Sequence, residues 1–268
     1  MLRTRMSNYP EKFGFRNELS GVHTSRTMMF DDLSSLLENL PPESNPDEYK
    51  KAIIEENILY KKTHSTRKTT SQKLRSLYGL NPEISLFKYF RIFWQKESSG
   101  RPLLACLLAN ARDPVLRITA PSVLSMSEGD KFSKKDIKED LRKVADSEFT
   151  ENTINSTTRN SASTWTQSGH LKGQSKKIRR TPEATPSNTA FALLMGYLCG
   201  QTGELLFDTF WFDILDISKP EAFELTKRAS QSGYLTYKHA GNVIDIDFDP
   251  ILEERDKEKI HEQNSAVN

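Results

Sequence analysis

Short amphipathic segments, most of them closed by proline or glycine, follow one another along this 268-residue chain. Within residues 27–40 apolar side chains recur at helical spacing until Pro41-Pro42 ends the segment, and the pattern returns within residues 45–59 and 65–79. Only two places show the composition of a strand pair. The sequence therefore predicts a mainly α protein, built of tandem helix-turn-helix and winged-helix modules with short β-hairpin wings.

Charge is divided unevenly along the chain, although the formal net charge is only +2. Residues 183–268 contain 7 Lys and Arg against 15 Asp and Glu, whereas residues 1–182 contain 31 against 21. A basic region of this kind suits a polyanion, and the acidic remainder suits a different partner.

Breaks in this patterning predict five divisions of the chain. They are a flexible N-terminal arm (1–24), a helix-turn-helix bundle (25–80), a helical connector with a winged helix and a basic wing (81–182), an acidic winged-helix-like module (183–250) and a charged tail (251–268).

Several functional classes lack sequence support. Cys106 and Cys199 lie in apolar stretches that are expected to be buried, which argues against disulfides and thiolate metal sites. No apolar run approaches the ~20 residues of a membrane span. The sequence shows no Gly-rich phosphate loop or nucleophile elbow, and its five histidines stand in unrelated polar contexts. We therefore expect a soluble cytoplasmic protein that is not an enzyme and needs no cofactor.

The first of two related motifs is His64-Ser65-Thr66-Arg67-Lys68. Ser65 is the predicted N-cap of a helix whose first-turn hydroxyls, amides and cations could contact phosphates and guanine edges. The alternative is a well-capped helix whose charges only keep it soluble. The predicted nucleic-acid contacts are Ser65, Thr66, Arg67, Lys68, Ser71 and Arg75.

The second motif is Ser156-Thr157-Thr158-Arg159-Asn160, in a helix predicted over residues 152–168. Residues 172–180 follow it as a lysine- and arginine-rich segment, which predicts the wing of a winged helix that neutralises phosphates. A basic linker would explain the same charges. The predicted contacts are Thr157, Thr158, Arg159, Asn160 and Ser163 on the helix, with Lys172, Lys176, Lys177, Arg179 and Arg180 on the wing.

The third module has acidic residues where the other two have cations. Its corresponding helix begins near Glu221 and Glu224, and its predicted hairpin alternates Asp245, Asp247 and Asp249. Alternating aspartates share one face of a strand, where a hard cation is conceivable but a solvated face is the commoner explanation. We expect this module to bind protein rather than DNA or metal.

The segments 55–68 and 155–171 together resemble the A component of bacteriophage exclusion (BREX) systems, in order and spacing, over about residues 25–180. The resemblance implies an all-helical, winged-helix protein that binds DNA as an accessory part of phage defence. The long apolar middle and the acidic third module depart from that pattern, as a sister family would. The residues carried over are Ser65, Thr66, Arg67, Lys68, Thr158 and Arg159.

Three functions follow from these expectations. The first is non-enzymatic binding of double-stranded DNA within a phage-defence system, with other defence proteins docking on the acidic module. The second is a structural adaptor whose helical modules bind proteins. The third is a transcriptional regulator of the locus that encodes the chain.

Overall fold

The computed structural model describes residues 9–145, 149–241 and 243–265 and is mainly helical, as the sequence predicts. Its α-helices in chain order are α1 (Phe30–Asn39), α2 (Pro46–Ile54), α3 (His64–Tyr78), α4 (Ser85–Lys96), α5 (Arg101–Arg112), α6 (Pro114–Ile118), α7 (Pro121–Leu124), α8 (Lys134–Ala145), α9 (Glu151–Gln167), α10 (Pro186–Leu198), α11 (Phe210–Asp213), α12 (Lys219–Gln231) and α13 (Glu254–Ser265).

Two small antiparallel strand pairs occur where hairpins were predicted. Strand β1 (Leu171–Lys172) pairs with β2 (Ile178–Arg179), and β3 (Thr236–Ala240) pairs with β4 (Val243–Asp247). Three 3₁₀ turns complete the described elements, at Glu11–Phe13, Val22–Thr24 and Gly203–Asp208.

Local sequence signals explain where many helices begin. Asn45 and Glu48 form a reciprocal capping box at α2, with Pro46 in the first turn, where its missing N–H costs nothing. Thr185 and Asn188 do the same at α10. Helix α2 ends at Ile54, earlier than the periodicity within residues 45–59 predicts.

The N-terminal segment is packed, in contrast to the flexible arm expected for residues 1–24. Phe13 and Phe15 are buried, and the Phe15 ring lies 5.2 Å from the ring of Trp211. The sequence could not reveal this because Trp211 is nearly 200 residues away. The first eight residues of the expected arm lie outside the described part of the chain.

One hydrophobic core runs through all the helical regions that the sequence predicts as separate modules. Helix α10, from the acidic third of the chain, packs against α4 and α5 from the middle. Phe191 on α10 lies 5.7 Å from Phe93 on α4, and Phe93 in turn contacts Tyr234. Packing of this kind couples the stability of the predicted modules.

The C-terminal helix α13 also joins this core, whereas the sequence predicts a charged tail after residue 250 that forms a frayed helix to Ile260 and is disordered beyond it. Asp256 is fully buried and accepts hydrogen bonds from Ser85 (2.8 Å) and Tyr89 (2.6 Å) on α4. Burial would raise the pKa of Asp256, but hydrogen bonds from Tyr89, Lys259 and Ser85 lower it to about 2. The tail therefore binds as an ionised helix, not as a loose extension.

Candidate nucleic-acid interface

The N-cap of helix α3 lies two residues before the predicted cap, Ser65. Thr63 is the N-cap, and its hydroxyl accepts from the backbone N–H of Thr66 at 3.1 Å. The helical period then leaves five side chains on the solvent side. We call this set the α3 stripe: His64, Ser65, Lys68, Gln72 and Arg75, all exposed.

Three predicted contacts on α3 do not belong to the α3 stripe. Arg67 is half-buried and donates to the Ile54 carbonyl oxygen at 3.2 Å, so it joins α3 to the end of α2. Thr66 is half-buried against the Thr63 hydroxyl, and Ser71 is buried. Arg67 therefore stabilises the pair of helices α2 and α3, whereas Thr66 stabilises the first turn of α3.

The second motif lies inside α9, not at its start. The N-cap is Thr150, so Ser156 falls in the second turn, where the backbone amides are already hydrogen-bonded. Thr157 and Thr158 are buried, and the Thr158 hydroxyl donates to the Ile154 carbonyl oxygen. These two threonines cannot contact DNA in this structure, which corrects the sequence prediction.

The remaining predicted residues of α9 are Arg159, which is exposed, and Asn160 and Ser163, which are half-buried. Gln167, near the end of the same helix, is also exposed. The Asn160 amide donates to the His23 carbonyl oxygen at 2.9 Å, which ties α9 to the N-terminal segment. Arg159, Ser163 and Gln167 are four residues apart and therefore follow one face of the helix.

The predicted basic wing is a hairpin supported by a third extended segment. Leu171 pairs with Arg179, and Lys172 pairs with Ile178. On its other side Ile178 bridges to Lys131, and the Phe132 N–H donates to the Lys177 carbonyl oxygen at 2.9 Å. The segment before α8 therefore brings additional cations to the hairpin.

Two arginines of the hairpin already have carboxylate partners. Arg179 is buried, and its Nη2 lies 2.6 Å from a carboxylate oxygen of Asp216. Arg180 is exposed and forms a 3.2 Å ion pair with Glu128. We exclude Arg179 from the interface because a buried, paired guanidinium is structural, and Arg180 is already partly neutralised.

Lys177 connects the hairpin to α9. Its ammonium donates to the Thr166 hydroxyl at 2.6 Å, and burial, followed by the charge of Lys134, lowers its pKa. Lys131 and Lys134 were missed as site residues, because only folding brings a segment 40 residues upstream to this hairpin. We define the wing surface as Arg159, Ser163, Gln167, Lys131, Lys134, Lys172, Lys176 and Lys177.

Cations of the wing surface stand free of carboxylates. Neighbouring ion pairs use other side chains: Lys135, Arg142, Lys143, Arg179 and Arg180. Within the described residues, no cation of the wing surface has a carboxylate oxygen within 4.0 Å. The surface therefore presents six charges that form no ion pair with a described carboxylate.

A buried network resembles a nucleophile–base–acid arrangement but is closed to substrates. His23 lies 2.7 Å from Asp113 through Nδ1 and 2.8 Å from the Thr164 hydroxyl through Nε2. All three side chains are fully buried, contrary to the polar context expected for His23. The network fastens the N-terminal segment to α6 and α9. Gly21 is required beside it, since a Cβ there would meet Asp113 at 2.0 Å.

The acidic module shows solvated rather than converging carboxylates. Asp245 forms a 3.7 Å exposed pair with Lys238, and Asp247 accepts from the Asp249 backbone N–H. In the described part of the chain no three His, Cys, Asp or Glu residues are grouped as metal ligands. None of the helices described here combines the length and apolarity that a membrane span requires.

A comparison with protein-family models finds no match, and neither does a search of curated proteins.

Proposed function

We propose that the chain binds double-stranded DNA without catalysing a reaction, chiefly through the wing surface. The observation that carries this proposal is the set of six cations with no described carboxylate partner, gathered on α9, the β1–β2 hairpin and the chain from Lys131 to the first residue of α8. Proteins usually neutralise clustered charge, so an unneutralised basic surface favours a polyanionic ligand.

In the proposed complex α9 is the recognition helix of a winged-helix module. Arg159 and Gln167 lie on its solvent face, and both side chains can hydrogen-bond to base edges in a major groove. The hairpin lysines contact the flanking phosphates and set the position of the helix. Lys177 fixes the angle between the two elements through its bond to Thr166.

The α3 stripe is the second proposed contact. Lys68 is exposed in the second turn of α3 and Arg75 in its last turns, and Gln72 stands between them. Their exposure supports phosphate contacts along the helix rather than at its first turn. Arg67 is not part of this contact, because its guanidinium already binds the α2 backbone.

The biological setting that we propose is bacterial phage defence, as an accessory DNA-binding protein of a BREX-like system or of a sister system. Support comes from the motif resemblance. Of the residues it carries over, Ser65, Lys68 and Arg159 are exposed, whereas Thr158 is buried. In this setting the acidic module binds other defence proteins. Regulation of the chain's own locus is the alternative use of the same DNA contacts.

Salt-dependent DNA affinity tests the proposal. We expect the triple variant Lys172→Ala/Lys176→Ala/Lys177→Ala to bind duplex DNA more weakly. The slope of log affinity against log salt concentration should be less steep by about 2 to 3. Each phosphate contact contributes roughly 0.9 to this slope through counterion release, and the variant loses three contacts. Fluorescence anisotropy with a labelled duplex measures both quantities.

A matched control is available on α12, where Lys219, Lys227 and Arg228 are exposed. Replacing these three with alanine changes the net charge equally and should leave the salt dependence near that of the wild type. Equal effects of the two triple variants, or a wild-type slope near zero, would refute the proposed interface.

A second candidate function is that of a protein-binding adaptor. It is favoured by two large apolar side chains exposed on the acidic module, Leu205 (58%) and Val243 (69%). The variant Leu205→Ser/Val243→Ser should lose a stoichiometric protein partner on co-purification and retain DNA binding. Nucleic acid that co-purifies with the wild type at low salt favours DNA binding. A stoichiometric protein that co-purifies without nucleic acid favours the adaptor function.

A further inference from the structure

A cleft of about 660 Å³ opens between the N-terminal segment and the last turns of α3. Basic residues at four positions line it, together with the polar side chains of Asn17, Gln72 and Ser76. The basic residues are Lys12, Arg16, Arg75 and Arg112. The volume is large enough for a compact ligand of nucleotide size.

Arg112, at the end of α5, forms the inner wall of the cleft and is 9% exposed. Its Nη1 donates to the Gly14 carbonyl oxygen at 2.5 Å, and its Nη2 donates to the Ser76 carbonyl oxygen at 3.4 Å. Neutral carbonyl groups orient this guanidinium but leave its charge uncompensated, and no described carboxylate lies within ion-pair distance. An uncompensated buried charge is costly, so an anionic ligand would stabilise it.

Arg16 adds a second uncompensated charge to the same cleft. Its Nη1 donates to the Ser76 hydroxyl at 2.9 Å, which holds the guanidinium beside α3. Burial and the nearby charge of Arg16 together lower the pKa of Arg112 to about 10. The two guanidinium groups repel one another, and an anion bound between them would offset this repulsion.

Acidic residues on the rim limit but do not cancel this positive charge. The Glu83 carboxylate is engaged by Arg255 at 2.6 Å, and Glu11 accepts a hydrogen bond from Asn17. Glu18 is exposed at the outer edge. The inner part of the cleft, around Ser76, is therefore lined by arginine.

We infer that this cleft binds the phosphoryl group of a phosphate monoester, with Arg16 and Arg75 as direct ligands and Arg112 supplying charge from behind. Arginine suits this ligand because its planar donors match the oxygens of a phosphate. Two sources present the same chemistry, a free nucleotide-like metabolite and the phosphorylated 5′ end of a nucleic-acid strand. The cleft shares Gln72 and Arg75 with the α3 stripe, but the inference does not depend on DNA binding by the wing surface.

Calorimetric titration of the full chain tests this inference, with inorganic phosphate, a nucleoside monophosphate and a short duplex with or without a 5′ phosphate as probes. We expect the wild type to bind phosphate and the monophosphate. Arg16→Gln and Arg75→Gln should weaken binding roughly tenfold or more, the loss expected for one charge-assisted hydrogen bond. Arg75 is exposed, so its replacement should not disturb folding.

Lys50→Gln is the matched control, because Lys50 is exposed on the neighbouring helix α2 and carries the same charge but does not line the cleft. Its phosphate affinity should remain within about twofold of the wild type, a change of less than ~0.5 kcal/mol. If only the 5′-phosphorylated duplex competes with the nucleoside monophosphate for the cleft, the ligand is the end of a nucleic-acid strand. If neither duplex competes with it, the ligand is a small molecule. No heat of binding in the wild type, or equal loss in all three variants, would overturn the inference.

Discussion

Arg67 and Arg159 occupy equivalent places in the two sequence motifs but have different surroundings. Arg67 donates to the Ile54 carbonyl oxygen, whereas Arg159 is exposed. The surroundings of the two motifs differ because α3 begins at the first residue of its motif, whereas α9 begins five residues before the second motif. A shift of that size rotates each residue type to another face of the helix.

His170 is a buried neutral histidine that makes folding sensitive to acid. Burial, helped by the charge of Arg179, lowers its pKa to about 3, although its hydrogen bond to the Ile214 carbonyl oxygen opposes the shift. An unfolded histidine titrates near 6.5, so below that pH the unfolded chain binds the proton first. Its contribution to stability is therefore complete above pH ~6.5 and is lost as the pH falls toward 3.

We predict that the free energy of unfolding falls between pH 6.5 and 4.5 with a His170 contribution of at most ~1.4 kcal/mol per pH unit. His170→Gln should be less stable at pH 7 and should show a flatter pH dependence over this range. Urea titrations at several pH values measure this. An unchanged slope in the variant would contradict the burial argument.

At the scale of elements, caps and periodicity predicted most helices because the signals are local. The β1–β2 hairpin was also predictable, since the lysine-rich segment follows α9 directly. The role of Arg179 was not, because its partner Asp216 lies 37 residues further along the chain. Lys131 and Lys134 were missed for the same reason. They precede most of α8 and all of α9 in the chain, and only folding brings them to the hairpin that follows α9.

The cap of α3 gives a prediction that separates the structure from the sequence reading. Thr63→Ala should cost about 1 kcal/mol of stability, because the Thr66 N–H loses its acceptor. Ser65→Ala should change stability by less than about 0.5 kcal/mol, since Ser65 is an exposed first-turn residue. Chemical denaturation of both variants measures the difference, and a larger loss for Ser65→Ala would place the cap where the sequence predicted it.

For the whole molecule, the sequence indicated a division of charge but not the shared core. The sequence predicts separate modules because prolines interrupt the helical pattern between them. In the structure, α10 of the acidic region packs on α4 and α5. The N-terminal segment and α13 close this core through Trp211 and Asp256, respectively. Long-range contacts of this kind leave no periodic signal in a single sequence.

The shared core also constrains how the proposed DNA contacts work. The wing surface and the α3 stripe are parts of one packed body, so both should bind as preformed surfaces and lose little conformational entropy. The Arg179–Asp216 ion pair helps to preform the wing surface, because it joins the β1–β2 hairpin to the segment after α11.

DNA affinities of Arg159→Ala and Arg67→Ala, measured side by side by fluorescence anisotropy at one salt concentration, test the central claim most directly. Arg159→Ala should weaken binding about tenfold or more, because it removes an exposed contact worth roughly 1–3 kcal/mol. Arg67→Ala should lower stability but keep the affinity within about twofold at temperatures where it is folded. Loss of affinity in Arg67→Ala with none in Arg159→Ala would contradict the proposed interface.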